Sequence, residues 1–281
     1  MPVFDTPQPV PMVIDVVAGD IRITASERAD TIIEVRPSDP SHDPDVRAAE
    51  QTRVEETAAG LLVKGPRQRS RSLVSKVGAV DLTIELPSGS TIRADAAIGA
   101  VRAAGPLGEC RIKTSAGDID VEQAGPADLT CGAGAITADR VTGHAEISSG
   151  AGRIRIGEVD GTAAVKNANG DIWVGQVTGD LRMRTANGDL TVGRADAGVT
   201  ASTATGAIRA GDIRRGTVSL KTGFGEIEIG IREGTAARLD VSTGFGRVHN
   251  DLTAADSPGE AADRAEVRAR TSYGDIRIRR P

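Results

Sequence analysis

The chain has 281 residues, of which 39% are hydrophobic but only 2% are aromatic. Because aromatic side chains usually anchor the interior of a compact domain of this size, the composition favours a narrow interior filled by small aliphatic side chains. A net charge of -5 argues against a general attraction to nucleic acid or anionic membranes, and two cysteines are too few for a disulfide-stapled scaffold.

The N-terminus and the cysteines predict the compartment. The first residues contain Asp5 and four prolines but no basic segment or long apolar stretch, so no export signal is visible. No later run approaches the roughly 18 apolar residues that a membrane-spanning helix needs. Cys110 and Cys131 are interpreted as buried or half-buried thiols in a reducing compartment, with a disulfide between them as the alternative. The sequence therefore predicts a cytoplasmic protein without a membrane span.

Residues 1–95 are less regular than the rest and are predicted to form a β cap together with the first coils of the fold. The segment VVAGDIRI around Gly19 already resembles the repeat described below. Residues 44–53 have helical composition, although a loop fits them equally well. Further strands are predicted in three aliphatic runs, at 31–35, 61–63 and 80–86.

A basic segment interrupts this region at residues 65–76, and its charged residues are Arg67, Arg69, Arg71 and Lys76. It is either a solvated loop or a docking site for an acidic partner or nucleic acid. Since no aromatic side chain lies nearby to stack on a base, the solvated loop is the preferred interpretation.

A repeat decides the architecture of residues 96–281. Each unit has a small residue, a glycine and then a short aliphatic alternation such as Ile119 and Val121, which is typical of a strand with one buried face. A weaker glycine signal midway through each period indicates two strands and two turns per unit. The glycines recur at intervals of 17 to 21 residues and finally 28: Gly99, Gly117, Gly134, Gly152, Gly170, Gly188, Gly206, Gly225, Gly246 and Gly274.

This pattern predicts an all-β fold, a single β-solenoid with coils of about 18 residues. The repeat glycines are expected at corners, where the backbone adopts a positive φ or approaches its neighbour closely. An acidic residue follows many of them and is interpreted as an acceptor for backbone amides, with a cation-binding ladder as the alternative. These acidic residues are Asp20, Asp118, Asp171, Asp189, Glu226 and Asp275.

The C-terminal units depart from the strict period. The interval of 28 residues predicts an inserted loop near 250–264, and residues 260–268 have a composition that fits a helix or a loop. The chain ends in Arg279, Arg280 and Pro281, which would discourage an incoming strand if the last unit formed an exposed edge.

No residue pattern indicates catalysis, a metal or a cofactor. His42, His144 and His249 are far apart, and no cysteine or histidine stands near them at metal-ligand spacing. The serines lack a nucleophile motif and a histidine partner. We therefore predict no catalytic, metal-binding or cofactor-binding residues, and no small-molecule substrate.

The aromatic residues are the candidates for an interaction surface. Trp173 falls on the outward phase of its strand, with Arg155 at the equivalent position of the preceding coil. It marks a contact surface or lies flat on neighbouring side chains. Phe224, Phe245 and Tyr273 occupy one slot of three late repeats and are predicted to stack as a ladder that closes the C-terminal end, with a partner site as the alternative.

The opening FDTPQPVPMVIDVVAGDIRITAS, the segment EVRPSDP and the GDI units through RTSYGDIRIRR together resemble a known family. They are similar to the bacterial β-strand-repeat proteins of domain-of-unknown-function family DUF4097, catalogued as candidate adhesins, and in particular to actinobacterial members. The resemblance covers essentially the whole chain. It implies the fold but supplies no catalytic or ligand residues.

Three functions remain open at this point. The leading hypothesis is a non-enzymatic scaffold that presents an outward face to a protein partner or to its own copies. The first alternative is a surface or envelope adhesin that binds a glycan or a protein. The second is a polysaccharide-active enzyme, which would need paired carboxylates and aromatic platforms along a groove.

Overall fold

The computed structural model describes residues 2–66, 78–253 and 263–281. Two predictions fall on the remaining residues and lie outside the described part of the chain. They are the basic segment with Arg67, Arg69, Arg71 and Lys76, and most of the insertion near 250–264. The chain divides into two compact units, Met1–Ala138 and Asp139–Pro281.

The described residues of unit 1 contain short strands and one helix, α1 (Asp43–Gln51), which lies where the sequence has helical composition. Strand β13 continues past the boundary into unit 2. The strands are β1 (Val3–Asp5), β2 (Pro11–Ala18), β3 (Ile21–Ser26), β4 (Asp30–Pro37), β5 (Arg53–Thr57), β6 (Gly60–Lys64), β7 (Val80–Pro87), β8 (Thr91–Ile98), β9 (Val101–Pro106), β10 (Cys110–Ala116), β11 (Ile119–Ala124), β12 (Ala127–Ala133) and β13 (Ile136–Thr142).

Unit 1 is built from coils that contribute one strand to each of two parallel sheets. The coil of β2 and β3 stacks on the coil of β8 and β9, which stacks on that of β10 and β11. Equivalent aliphatic residues fall into rows: Ile21, Val101 and Ile119 are in register and are all fully buried. Each such side chain contributes about 1.5–3 kcal/mol through burial. The alternation seen in the sequence thus becomes a layered core.

Antiparallel strands cover the outermost coil of unit 1. That coil is formed by β6 and β7, which pair in parallel with β2 and β3. Strand β5 then pairs antiparallel with β6, and β4 pairs antiparallel with β7. The first coil in the sequence is therefore an inner coil in space, and the antiparallel strands β4 and β5 lie on the coil of β6 and β7.

Unit 2 contains the remaining strands. They are β14 (Ala145–Ala151), β15 (Ile154–Asp160), β16 (Ala163–Asn169), β17 (Ile172–Val177), β18 (Leu181–Arg184), β19 (Leu190–Ala195), β20 (Val199–Thr205), β21 (Ile208–Ile213), β22 (Gly216–Phe224), β23 (Ile227–Ile231), β24 (Thr235–Phe245), β25 (Val248–Asn250), β26 (Asp263–Tyr273) and β27 (Ile276–Arg279).

The strands of unit 2 form two parallel sheets. The even-numbered strands follow the order β14-β16-β18-β20-β22-β26-β24, and the odd-numbered strands follow β15-β17-β19-β21-β23-β27-β25. The strand β26 begins at Asp263, so the described part of 260–268 is neither helix nor loop. Its residues Ala265, Val267 and Ala269 alternate into the core with 4%, 0% and 0% exposure, and this burial fixes the strand.

The last coil of the chain is inserted between its two predecessors. Strand β26 pairs with β22 on one side and with β24 on the other, and β27 pairs in the same way with β23 and β25. The sequence order predicted instead that the last coil would form an exposed edge, where Arg279 and Arg280 would disfavour pairing with another strand. That expectation is wrong, because β24 and β25 occupy the end of their sheets.

The repeat glycines have the backbone conformation and the close contacts that the sequence predicted for corners. All ten repeat glycines have φ between +127° and +156°, a range that L-residues with a side chain rarely adopt. A Cβ atom on Gly188 would lie 2.3 Å from the carbonyl oxygen of Gly170 in the adjacent coil. Glycine is therefore required by both backbone conformation and close stacking.

A column of buried polar residues lies beside these corners, three positions before each glycine. In unit 2 it contains Thr203, Thr222 and Thr271, whose hydroxyls donate to the glycine carbonyls of the preceding coils at 3.2, 2.9 and 3.0 Å. These bonds satisfy carbonyls that face the core edge. The sequence analysis missed this column, although the spacing Thr-x-x-Gly is visible in the repeats.

Asn167 is the imperfect member of this column. Its amide nitrogen donates to Gly152, but its buried Oδ1 has no hydrogen-bond partner. We expect Asn167→Thr to raise the free energy of unfolding by about 0.5–1 kcal/mol, because the buried acceptor disappears while a donor remains. Urea unfolding measures this change. Thr203→Val is the matched control and should lower stability; a loss of stability in Asn167→Thr would contradict the interpretation.

Candidate functional site

The predicted aromatic ladder is present on the surface of unit 2, and its rings are stacked. The ring centroids of Phe224 and Tyr273 are 4.9 Å apart, those of Tyr273 and Phe245 are 4.8 Å apart, and the interplanar angles are 2° and 7°. The exposed fractions of Phe224, Tyr273 and Phe245 are 57%, 47% and 68%. The stacking prediction is confirmed, but the order differs from the chain order because β26 lies between β22 and β24.

The ladder continues a column of corner residues. Thr205 pairs in register with Phe224, and Asn187 of the next coil bridges to Thr205. The amide of Asn187 in turn donates to Asn169 Oδ1 at 2.9 Å. The column therefore changes from stacked amides to stacked rings along unit 2. Since parallel coils place equivalent residues directly above one another, one slot in the repeat becomes a continuous stripe on the surface.

Trp173 lies on the other sheet of unit 2, in β17, and does not join the ladder. Arg155 lies in register with it, as predicted, and Thr191 is in register on the other side; the Arg155 guanidinium carbon lies 4.1 Å from the ring centroid. A Cβ on Gly175 would lie 2.8 Å from Trp173 Cη2, so the ring packs down on its own strand. The side chain is half-buried. This is the flat-lying arrangement, stabilised by a cation–π contact.

The acidic residues after the repeat glycines accept hydrogen bonds from backbone amides of the next coil. Asp118 Oδ1 accepts from Ala135 at 2.8 Å, Asp171 from Asp189 at 3.0 Å and Asp189 from Ala207 at 2.8 Å. Asp20 and Asp275 do the same for Ala100 and Arg247. The interpretation as turn acceptors is confirmed for these five residues. Within the described residues, no group of three or more His, Cys, Asp or Glu side chains is placed to hold a metal ion.

A polar groove of about 740 Å³ lies along the other corner of unit 2. It forms because β22 and β26 start before the position at which the adjacent β20 begins. Its arginines are Arg182, Arg215 and Arg264, and none of the three forms an ion pair with a described residue; Arg215 Nε donates to the carbonyl of Asp196 at 3.2 Å. The sequence analysis missed this groove, since it depends on where neighbouring strands begin.

The two carboxylates of the groove both make structural contacts. Asp180 Oδ1 accepts a hydrogen bond from the amide of Gly198 at 3.0 Å, and Asp263 forms an ion pair with Arg214 at 3.0 Å. Arginines therefore provide most of the unneutralised charge of the groove. Such a surface suits an anionic ligand.

The three histidines remain separate. His144 lines the groove, where its Nδ1 lies 2.8 Å from the Thr162 hydroxyl. His42 contacts Asp45, and hydrogen bonds from the Ala79 backbone and from His42 lower the pKa of that carboxyl. His249 lies on the exposed strand β25.

Within the part of the chain that the structure describes, the longest helix is α1, and no helix is long and apolar enough to cross a membrane.

Both cysteines are free and buried, as predicted. Desolvation raises the pKa of the Cys110 thiol from 9.0 to about 12, and burial also raises the pKa of Cys131. In the unfolded chain Cys110 ionises near pH 9, whereas in the folded chain it stays neutral to about pH 12. Rising pH therefore favours unfolding within this window, and the contribution of the neutral thiol to stability is complete below it.

We expect the free energy of unfolding to fall by about 1.4 kcal/mol per pH unit between pH 9 and 12 on account of Cys110. Urea unfolding of the native protein and of Cys110→Ala across this range measures the difference. The variant should lose stability less steeply. If the free energy of unfolding fell with pH equally steeply in both proteins, the Cys110 thiol would not contribute to this pH dependence.

Comparisons with known proteins find a family model and solved structures that match this chain. A family model described as Toastrack DUF4097 matches residues 11–279. A candidate cell adhesion protein from Clostridium sporogenes has 10% identity and a TM-score of 0.20, with 99% of this chain and 94% of that chain covered. A candidate adhesin from Bacteroides fragilis has 13% identity and a TM-score of 0.29, with coverage of 99% and 95%. No curated protein matches the chain.

Proposed function

Since the chain belongs to the Toastrack DUF4097 family, we propose that it is a non-enzymatic interaction module that binds a protein partner through its aromatic ladder. The observation that carries the proposal is the exposure of Phe224, Tyr273 and Phe245 in one stacked row. Contiguous exposed apolar surface is a common feature of protein-binding sites, and aromatic residues dominate their energetics.

The stacking geometry favours a protein over a sugar as the occupant of the ladder. Each face of the Tyr273 ring is covered by a phenylalanine ring, so this residue offers only its edge. Sugar rings bind aromatic side chains face to face, whereas aliphatic and aromatic protein side chains also pack against ring edges. The exposed polar neighbours Glu226, Asp275 and Arg247 supply the rim that a protein interface needs.

Site-specific photocrosslinking tests this surface. A benzoylphenylalanine at position 224 should capture a discrete protein in cells, because that position lies in the ladder, next to Tyr273. The matched control places the same group at Ile98, an exposed hydrophobic residue at the equivalent corner slot of unit 1, where 58% of the side chain is exposed. Capture at position 224 should fall at least about tenfold when Tyr273 is changed to Ser, as expected for loss of an aromatic hot spot. Equal capture at both positions would refute the proposal.

The proposal includes a cytoplasmic location. Free, buried Cys110 and Cys131 suit a reducing compartment, although such thiols also persist elsewhere when they are inaccessible. Cell fractionation with an antibody against the folded chain measures the location. Recovery in the envelope fraction would instead favour an adhesin.

An adhesin that binds an acidic glycan is the second candidate function, and the groove favours it. Arg182 and Arg264 project into a polar groove, and carboxylate groups pair well with arginine. Calorimetry with an oligogalacturonate probe should show salt-sensitive binding that Arg182→Gln weakens. The matched control is Arg184→Gln, on the same strand but outside the groove. No binding by the native protein would remove this candidate.

A further inference from the structure

The outermost coil of unit 2 exposes residues that belong to the core. Leu239 and Val241 of β24 are in register with Val267 and Ala269 of β26, which are fully buried. Leu239 and Val241 are nevertheless only half-buried, and 43% of Val248 in β25 is exposed. Within the described residues, no strand lies beyond β24 or β25. The core rows therefore end at an open edge.

Unit 1 shows how this fold covers such an edge. There, β5 and β4 lie antiparallel on the outermost coil formed by β6 and β7. A long edge strand with unpaired amides and carbonyls readily pairs with another strand. Strand β24 has eleven residues, so it offers a longer edge than the five residues of β6. By analogy, we expect an antiparallel strand to pair with the edge of unit 2 that β24 forms.

The sequence of β24 is complementary to itself in the antiparallel direction. If two copies pair about Leu239, each Arg238 lies opposite Asp240 of the partner subunit on the outward face. On the inward face, Leu239 meets Leu239 of the partner subunit and Val241 meets Ala237 of the partner subunit. All of these inward side chains belong to core rows. A twofold axis through the edge thus pairs opposite charges and apolar side chains together.

The charges also select this register. Moving the centre of pairing from Leu239 to Asp240 places the two aspartates opposite each other, and moving it to Arg238 does the same for the two arginines. Both alternatives juxtapose like charges, which is unfavourable across a strand pair. Asp240 already forms an exposed ion pair with Arg270 at 3.6 Å, which does not neutralise Arg238.

We propose that a second copy of this chain covers the edge, through antiparallel pairing of the two β24 strands about Leu239. The pairing continues the even-numbered sheet of unit 2 from one copy into the next. It buries the exposed ends of the core rows and closes the edge. The charged residues that set the register, Arg238 and Asp240, are not part of the ladder, whereas Phe245 at the end of the same strand is.

Charge-reversal variants test the proposal on the full chain. Sedimentation equilibrium from about 5 μM to about 500 μM should show a reversible monomer–dimer equilibrium. Arg238→Asp alone places aspartates opposite Asp240, and Asp240→Arg alone places arginines opposite Arg238. Each variant should weaken the dimer about tenfold or more. An equimolar mixture of the two variants should restore the native affinity, because every cross-strand pair in the heterodimer again joins opposite charges.

Arg153→Asp is the matched control, since it makes the same charge change at an exposed position outside β24. It should dimerise like the native chain. Circular dichroism confirms folding of all variants. A native protein that stays monomeric at the highest concentration would overturn the proposal, as would single variants with unchanged affinity or a mixture no tighter than its components.

Discussion

Replacing Gly188 by alanine is expected to lower the free energy of unfolding by about 3–5 kcal/mol. Two independent costs add. The backbone at Gly188 has φ +139°, where a side chain is strained by about 1–3 kcal/mol. The new Cβ would also lie 2.3 Å from the Gly170 carbonyl oxygen, so the adjacent coils must move apart and the stacked hydrogen bonds must lengthen.

Gly234→Ala separates these two costs. Gly234 also has a positive φ, +77°, but a Cβ there meets nothing within 4 Å. Its substitution should cost about 1 kcal/mol or less, because only the backbone preference is lost and the unfolded chain is stiffened. Urea unfolding of both variants measures the difference. Equal losses at the two glycines would show that close stacking does not restrict the corner.

The second large effect is expected from Val267→Asp in the inserted strand β26. Val267 is fully buried between Val218 and Leu239, so the substitution places an unpaired carboxylate in the core. We expect a loss of several kcal/mol. Because coils interact mainly with their nearest neighbours, unfolding should begin at this end of unit 2, and the other coils of the unit should stay folded.

Hydrogen exchange should reveal a specific pattern in this variant. Strand β24 pairs with β26 and with no other described strand, so its amides should lose protection together with those of β26. Strands β16 and β18 should keep theirs. Ser272→Asp, at an exposed position of β26, is the control and should leave exchange unchanged. Retained protection of β24 in Val267→Asp would contradict the inserted topology.

Periodic local features of this protein could be predicted from its sequence. The glycine register placed the corners, and alternation such as Ile172 and Val174 placed the buried rows. The role of Asp171 and Asp189 as turn acceptors also followed, because an acidic residue recurs at this position in many coils. In a stacked fold, one local rule repeated many times determines most of the structure.

The order of the last coils could not be predicted in the same way. The core residues Val267 and Ala269 of β26 are similar to Leu239 and Val241 of β24, so either coil would fit either place in the stack. The longer intervals before Gly246 and Gly274 indicated that the last coils are irregular, but they did not indicate the order in which these coils stack. For the same reason the open edge at Arg238 and Asp240 was missed, and so was the groove formed by the early start of β22.

The inserted coil also has a consequence for biosynthesis. The segment that separates β22 from β24 is translated after both of them, because β26 and β27 contain residues 263–279. The coil of β24 and β25 is made earlier but finds its partner strands only after β26 and β27 have been synthesised. A nascent polypeptide truncated before Asp263 would therefore carry an unattached, aliphatic coil that proteases and chaperones can recognise. Assembly of this edge of unit 2 thus waits for the synthesis of residues 263–279.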